Sequence, residues 1–297
     1  MTVPETGPAA APHARDVAPL TRREFELVAG LARRSCGLEL PETKRLMVWS
    51  RLARNVREME CRNFSEYYRR VLEDESGEAL CAMIDRLTTS FTGFMREPVH
   101  FDFLRKVVVP RFCNSPQIRV WSAGAATGEE AYSIAISLLE AFPEARPPVI
   151  SILATDISRN ALRKASRGIY LASRLRSLDP VLLAKYFLKG SGRVRGWYRI
   201  KPEIRNLVSF RRLNLIDRFP SIGSFPVIFC RNVMIYFDRE TQLATVGRLT
   251  DCLEPGGHLL IGHSETLAGA DSPLEYVRPA VYRKREAKAR QPWPRMR

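Results

Sequence analysis

At 297 residues with a formal net charge of +15, the chain can bury a full core and hold two domains, and its basic balance favours an acidic partner: nucleic acid, an anionic membrane surface or an acidic protein. No window has the apolar run of a membrane span and the N-terminus lacks a signal-peptide core, so a soluble cytoplasmic protein is expected. None of Cys36, Cys61, Cys81, Cys113, Cys230 and Cys252 is paired at metal-ligand spacing, and His258 and His263 flank an apolar run; both sets read as structural, with no metal.

Residues 1–19 are Pro- and Ala-rich and read as a disordered tail. Thr21 and Glu24 form a capping box for a first helix with Phe25, Val28, Ala29 and Ala32 inward, ended by Cys36-Gly37. A second helix, from about Thr43 to Glu60, repeats Trp49, Leu52, Ala53, Val56 and Met59 at helical spacing, and Lys44, Arg51, Arg54 and Arg57 fall on one broad side of it. Taken alone, that side is a solvated basic face. Asn63 and Glu66 read as a second capping box, opening a third helix that ends near Glu73; a fourth runs from Glu78 to Leu87 with Leu80, Met83, Ile84 and Leu87 inward. Helices joined by short loops without strands predict a small helical domain over residues 20–90.

After a junction at Thr88–Arg96, Pro98 starts a helix carrying Phe101, Leu104, Val107 and Val108. Strands and helices then alternate. A strand at Ile118–Trp121, a small-residue turn at Ala123–Gly128 and a helix from Glu129 to about Phe142, with Ala131, Ile134, Ala135 and Leu138 on one face, come first. Val149–Thr155 ends at Asp156, Ser158 caps another helix, and a further helix comes after Asp179-Pro180. Gly190, Gly192 and Gly196 punctuate a small hairpin before the strand Leu207–Leu213. Pro226–Cys230 is a strand ending at Arg231-Asn232, Arg239–Leu253 a helix stopped by Pro255-Gly256-Gly257, His258–Ile261 a strand, and Glu275–Lys284 the last strand. This alternation predicts an α/β domain over 91–285 with a mostly parallel sheet covered on both faces. Arg283–Arg297 carries seven basic residues and one acid, and 286–297 reads as a basic tail.

Ligands of open α/β sheets sit beyond the carboxyl ends of the strands. Four strand ends offer polar groups there: the Gly124 turn, Asp156, Asn214 and Arg231-Asn232. An acid after the second strand suits a ribose diol, since one carboxylate accepts from both hydroxyls. The turn has only Gly124 and Gly128, Asp156 lies too far on for the dinucleotide fingerprint, and there is no Walker lysine. Glu129 and Glu130 at the helix start weigh against phosphate. A nucleoside without phosphates fits better and points to S-adenosylmethionine.

Five segments occur in order: Thr88-Thr-Ser-Phe-Thr-Gly-Phe-Met-Arg-Glu-Pro98, Trp121-Ser-Ala-Gly-Ala-Ala-Thr-Gly-Glu-Glu130, Ala154-Thr-Asp-Ile157, Leu213-Asn-Leu215 and Phe229-Cys-Arg-Asn-Val-Met-Ile-Tyr-Phe-Asp238. Together they resemble the CheR family of chemotaxis methyltransferases, over roughly Leu20 to Arg283. The resemblance implies a Rossmann-like class I S-adenosylmethionine methyltransferase domain with a small antiparallel β-subdomain (about 188–205), preceded by an all-α domain. It also implies methylation of glutamate side chains on chemoreceptors, leaving S-adenosylhomocysteine.

The same resemblance implies roles for single residues. Thr92 and Arg96 line the cofactor and active-site cleft, and Glu130, rather than Glu129, faces the methionine end of the cofactor. Asp156 takes the ribose hydroxyls, Asn214 and Leu215 border the adenine, Arg231 and Asn232 close the pocket near the methyl, and Tyr236 points toward the substrate. Arg96 and Tyr236 are the catalytic pair. Lys44, Arg51, Arg54 and Arg57 would face the receptor's acidic helical bundle, and in some members the β-subdomain docks a receptor's C-terminal peptide by strand addition. Ser90 stands where members often have asparagine; it reads equally as a helix-terminal hydroxyl. No nucleic acid is expected, because Asn232 is followed by Val-Met-Ile rather than Pro-Pro and there is no base-stacking aromatic cluster. A non-catalytic module that binds the cofactor and regulates a partner is the rival of another class; intact Arg96, Asn232 and Tyr236 argue against it. A monomer is expected.

Overall fold

A computed structural model describes residues 17–142, 148–267 and 273–286. The chain divides into two compact units between Thr89 and Ser90. The expected tails lie outside the described residues up to 16 and beyond 286. Residues 17–19 differ from the tail expected of them, because Val17 is buried and the Trp49 indole N–H reaches the carbonyls of Val17 (3.3 Å) and Ala18 (3.2 Å).

The first unit contains α1 (Arg22–Cys36), α2 (Arg45–Glu58), α3 (Phe64–Glu73) and α4 (Glu78–Leu87). The Thr21–Glu24 capping box is present, and Glu24 also accepts from the Ser65 N–H and hydroxyl, both at 2.9 Å, so one carboxylate satisfies orphan donors of two helix starts. The second box is only half made. Asn63 caps the Glu66 N–H at 2.9 Å, but the Glu66 carboxylate turns back to the Arg62 N–H at 2.9 Å. The core takes Val48, Leu52, Val56, Phe64, Tyr67, Met83, Ile84 and Leu87.

The basic side of α2 is not uniform. Lys44 sits exposed in the 3-10 turn that precedes the helix, Arg54 is exposed and pairs with Glu58 at 2.7 Å, and Arg57 is half-buried. Arg51 turns inward: it donates to the Leu87 carbonyl at 2.7 Å and to the Thr89 hydroxyl at 3.1 Å, closing the C-terminus of α4. A cation there meets the negative end of the helix dipole, so Arg51 does not belong to a merely solvated face. The helix-terminal hydroxyl on α4 is that of Thr88, which bonds the Ile84 carbonyl at 2.9 Å, and not that of Ser90.

The second unit opens with α5 (Pro98–Phe103), which runs into a π turn (Leu104–Val108) and a 3-10 turn (Val109–Phe112). The wider π turn keeps Leu104 and Val108 buried and moves Val107 out to solvent, against the α-helical spacing read from sequence. Next come β1 (Gln117–Ala123), α6 (Glu129–Ala141), β2 (Val149–Asp156), α7 (Arg159–Arg167), β3 (Ile169–Leu171), α8 (Pro180–Tyr186), β4 (Phe187–Lys189), β5 (Trp197–Ile200), α9 (Pro202–Arg205), β6 (Val208–Arg212), β7 (Phe225–Cys230), α10 (Arg239–Asp251), β8 (Leu253–Ile261), β9 (Leu274–Arg278) and β10 (Val281–Lys284).

The main sheet has the order β6-β2-β1-β7-β8-β10-β9, with β10 antiparallel to both neighbours and the strands from β6 to β8 parallel. Alternate residues of β7 enter different cores. Val227 and Phe229 join Ile134, Ala135 and Leu138 of α6, whereas Ile228 and Cys230 join Val246 and Leu249 of α10. The sheet is therefore covered on both faces, as expected of a parallel sheet. α6 is not one-faced: every residue from Glu129 to Leu138 is buried, because α5 and the 92–96 loop wrap its outer side.

Three boundaries differ from the sequence reading. The small sheet has order β3-β5-β4, so its third strand starts at Ile169 rather than within 188–205. Pro255-Gly256-Gly257 does not stop α10 but lies inside β8 as an irregularity, where the register with β7 jumps between Phe225 and Val227. The last expected strand is a hairpin of two, β9 and β10.

Candidate active site

The parallel order brings the carboxyl ends of β6, β2, β1 and β7 side by side, which gathers Asn214, Asp156, the Gly124 turn and Arg231-Asn232 along one edge. The turn is built for close approach. Gly124 has φ 93°, and a Cβ there would come within 2.3 Å of Val233 Cγ2; Gly128 has φ 94°, and its Cβ would meet Ala165 Cβ at 2.8 Å. Only glycine fits both the left-handed backbone and the space.

Asp156 braces this turn. One carboxylate oxygen accepts from the Ala126 N–H at 2.8 Å and the other from the Ser158 N–H at 2.8 Å. Ala126 itself is left-handed, with φ 48°. Among the described residues, six non-glycine positions have positive φ, and four of them, Met95, Glu97, Ala126 and Asn232, belong to the segments of this site. Left-handed backbone is thus concentrated in the segments of this candidate site.

Behind the turn, Arg231 is buried and shared by two carboxylates: Nη2 lies 3.0 Å from Glu97 and Nη1 3.1 Å from Glu130, and the guanidinium also donates to the Arg96 carbonyl. Ser122 donates to Glu130 at 2.7 Å. The two carboxyls are pushed in opposite directions. Burial raises that of Glu130 above the ordinary carboxylate value, against the pull of Arg231 and Ser122. At the shallower Glu97, burial also raises it, but Arg231, as charge and as hydrogen-bond donor, outweighs that and leaves it low. Glu129 is fully buried and bonded to the Thr127 hydroxyl at 2.6 Å and to Arg174, which also holds the Thr92 carbonyl at 2.9 Å. The Glu129 and Glu130 side chains thus lie at the positive end of α6, within reach of the 92–97 loop.

Arg96 differs from Arg231. It bends over the Phe91 ring at 5.5 Å and donates to the Phe91 carbonyl at 3.2 Å, and among the described residues no carboxylate pairs with it. Thr92 and Ser90 are half-buried on the same segment. Asn214 bonds Asp217 at 3.0 Å, and Leu215 is buried with its carbonyl accepting from Arg248 at 3.0 Å. Tyr236 stands 36% exposed in the 3-10 turn Met234–Tyr236 that comes after Asn232, so its ring can be met from solvent. Lys44, Arg51, Arg54 and Arg57 belong to the other unit.

Sequence reasoning gave no role to Glu97, Arg174 or Glu265, although Glu265 lies just past the fifth parallel strand and the strand-end rule reaches it. It also left His100 unread. Glu97, His100 and His263 offer donor atoms within 4.8 Å of one another. The Arg231 guanidinium already occupies the Glu97 carboxylate, and its charge opposes a cation there. Burial and that charge push His100 down to about 3, leaving a neutral imidazole edge-on to His263 at 5.1 Å between ring centroids. His258 is buried against Phe103, the structural role expected of it.

The comparisons with known proteins agree with this geometry. The model of the CheR methyltransferase SAM-binding domain matches residues 90–282, and that of the CheR all-alpha domain matches residues 23–88. The chain belongs to the CheR methyltransferase family. It is 40% identical to chemotaxis protein methyltransferase 2 of Pseudomonas aeruginosa, over 88% of this chain and 93% of that protein. Against the chemotaxis protein methyltransferases of Borreliella burgdorferi and Escherichia coli, identity is 36% over 89% and 95%, and 38% over 89% and 91%, of the two chains respectively. As a CheR family member, the protein is an S-adenosylmethionine-dependent methyltransferase of chemotaxis. The donor set fits that cofactor: the strand-end edge supplies carboxylates that can accept from hydroxyl and amino groups and offer negative charge to a sulfonium, and the arginine buried there, Arg231, is already matched by two carboxylates, leaving little to hold phosphate. Among the described residues, no helix is long and apolar enough to cross a membrane.

Proposed function

We propose that this enzyme methylates glutamate side chains of chemoreceptors in the cytoplasm, giving glutamate methyl esters and S-adenosylhomocysteine. The observation that carries this reading is Arg96, a cation without a carboxylate partner among the described residues, beside the acid-rich strand-end edge. A substrate carboxylate is the group such a cation takes up. The names of the relatives, chemotaxis protein methyltransferases, agree with a receptor as substrate.

A glutamate carboxylate, with a reference pKa of about 4.3, is ionised at neutral pH, so no general base is needed. S-Adenosylmethionine supplies a methyl on a positive sulfonium, and both charges fade as the methyl moves. The protein's task is in-line placement and exclusion of water. Asp156 takes the ribose hydroxyls, and Asn214 and Leu215 border the adenine. Thr92 and Glu130 line the methionine side, while Arg231 and Asn232 close the pocket near the methyl. Arg96 draws in the substrate carboxylate, and the Tyr236 hydroxyl fixes one oxygen while the other attacks; a tight ion pair to Arg96 alone would blunt the nucleophile.

The exposed Lys44 of the turn before α2 and Arg54 of α2, with the half-buried Arg57, face the acidic helices of the receptor. A receptor C-terminal peptide can add to an edge strand of the small sheet, β3 or β4. The deciding experiment is transfer of labelled methyl to receptor fragments, followed by mild alkali. Glutamate esters release methanol in base; label that stays on the protein refutes ester formation.

A further inference from the structure

We propose that Glu265 is a positioning residue: from the loop after β8, its carboxylate clamps the Asn232–Tyr236 segment in the shape that presents Asn232 and Tyr236 to cofactor and substrate. The inference rests on the roles given to those two residues above, and adds how they are held.

β7 and β8 run parallel, with Cys230 opposite Ile261, so the segments that leave them start side by side. Asn232 then turns left-handed, at φ 57°, a shape that asparagine tolerates better than other residues with a Cβ and that reverses the chain at this point. Glu265 meets that turn with both oxygens. Oε2 accepts from the Asn232 N–H at 3.0 Å and the Gly262 N–H at 2.6 Å, and Oε1 accepts from the Ile235 N–H at 3.2 Å. Three backbone donors from two loops converge on one carboxylate, an anion nest in form. Among the described residues no basic side chain pairs with Glu265, so it is no member of an ion-pair network. Burial raises its carboxyl above the ordinary carboxylate value, against the pull of the surrounding N–H groups.

Gly262 completes the clamp. A Cβ there would come within 2.3 Å of Asn232 Nδ2 and 2.9 Å of both Asn232 N and Glu265 Oε2. The backbone of the β8 loop therefore lies flat against Asn232. The Asn232 amide is held from its other side by Glu97 Oε1 at 3.4 Å. Tyr236 ends the short turn Met234–Tyr236, whose middle residue Ile235 is the one that donates to Glu265.

Glutamine at 265 is isosteric, but has one acceptor oxygen and would turn an NH2 group toward a backbone N–H. E265Q should lower methyl transfer, as kcat/KM on a receptor fragment, by between about ten- and a hundredfold, the scale of a misplaced reacting group. Its thermal midpoint should stay within a few degrees of wild type. G262A, which keeps Glu265 but drives a methyl into Asn232, should reproduce the loss. In a background carrying both Asn232→Ala and Tyr236→Phe, E265Q should cost under about threefold, since residues acting through one another are non-additive. Wild-type turnover in E265Q, or an equal fold-loss in both backgrounds, overturns the clamp. Full turnover in both Asn232→Ala and Tyr236→Phe overturns instead the site reading on which the clamp rests.

Discussion

Replacing Asp156 separates two duties of one carboxylate. Its oxygens accept from the Ala126 and Ser158 N–H groups, both at 2.8 Å, and the proposed function adds the ribose diol. Asp156→Ala removes all of these. Hydrogen bonds to a charged group contribute about 1.5–3 kcal/mol, so loss of the ribose contact should weaken S-adenosylhomocysteine roughly ten- to a hundredfold. The bracing bonds add a cost to the fold that a ligand-only residue would not show. At about 2–4 °C per kcal/mol for a domain of this size, the thermal midpoint should fall by several degrees. Calorimetry with S-adenosylhomocysteine, at a temperature where the variant is fully folded, reads the first effect, and a melting curve without ligand reads the second. Asp156→Asn keeps one acceptor oxygen and should fall between wild type and alanine in both. A lower melting point with cofactor affinity unchanged within about twofold would make Asp156 a brace alone and refute its placement on the ribose.

Arg96→Ala should cut methyl transfer by at least about tenfold with little change in melting, and Tyr236→Phe should lower kcat while leaving cofactor affinity intact; a fully active Tyr236→Phe removes that hydroxyl from the mechanism. Arg54→Glu disturbs only an exposed pair, worth under about 1 kcal/mol, and should raise KM for receptor in a salt-sensitive way without moving the melting point. Arg51→Glu should instead lower the melting point, because it takes donors from the Leu87 carbonyl and sets an anion at the C-terminus of α4; equal melting points for the two variants refute the distinction. Burial, with the charges of Arg111 and Arg283, pushes His258 down to about 4, so the unfolded chain takes up a proton there first, and stability, full above about pH 6.5, declines as pH falls toward about 4. His258→Leu should flatten the melting-point decline between about pH 7 and pH 5, and an unchanged slope counts against it.

Much of the fold and of the candidate site's layout was legible from sequence because it is local. Capping residues, strand ends and the glycine turn signal themselves within a few positions, and Asp156, Asn214 and Arg231 were all reachable by reading the residues at and just past the end of each parallel strand. The features that stayed hidden depend on distant partners. Arg231 finds Glu130 and Glu97 across 101 and 134 residues, and Arg51 reaches Leu87 across 36. No periodicity announces such a pairing, and Arg51 therefore read as one more exposed base. β3 is three residues long, too short for an alternation to show, and Pro255-Gly256-Gly257 carries the usual signature of a stop although the ladder absorbs it as a bulge. Glu265 was missed because only four strand ends were considered, and the fifth has its acid three residues beyond Gly262.

The π turn at Leu104–Val108 buffers the site against a change of chain length at a distance from it. Such a turn holds one more residue than the α-helical turn it replaces. Deleting a single residue at the exposed Val107 would let the segment close as a regular helix, and because the widened turn and the regular one sweep nearly the same angle, everything N-terminal to it would keep its phase. Glu97 immediately precedes α5, so its aim toward Arg231 is set by the phase of the helix downstream as well as by its own chemistry. A deletion within α5 itself has no such slack and would turn Glu97 by about 100° about the helix axis.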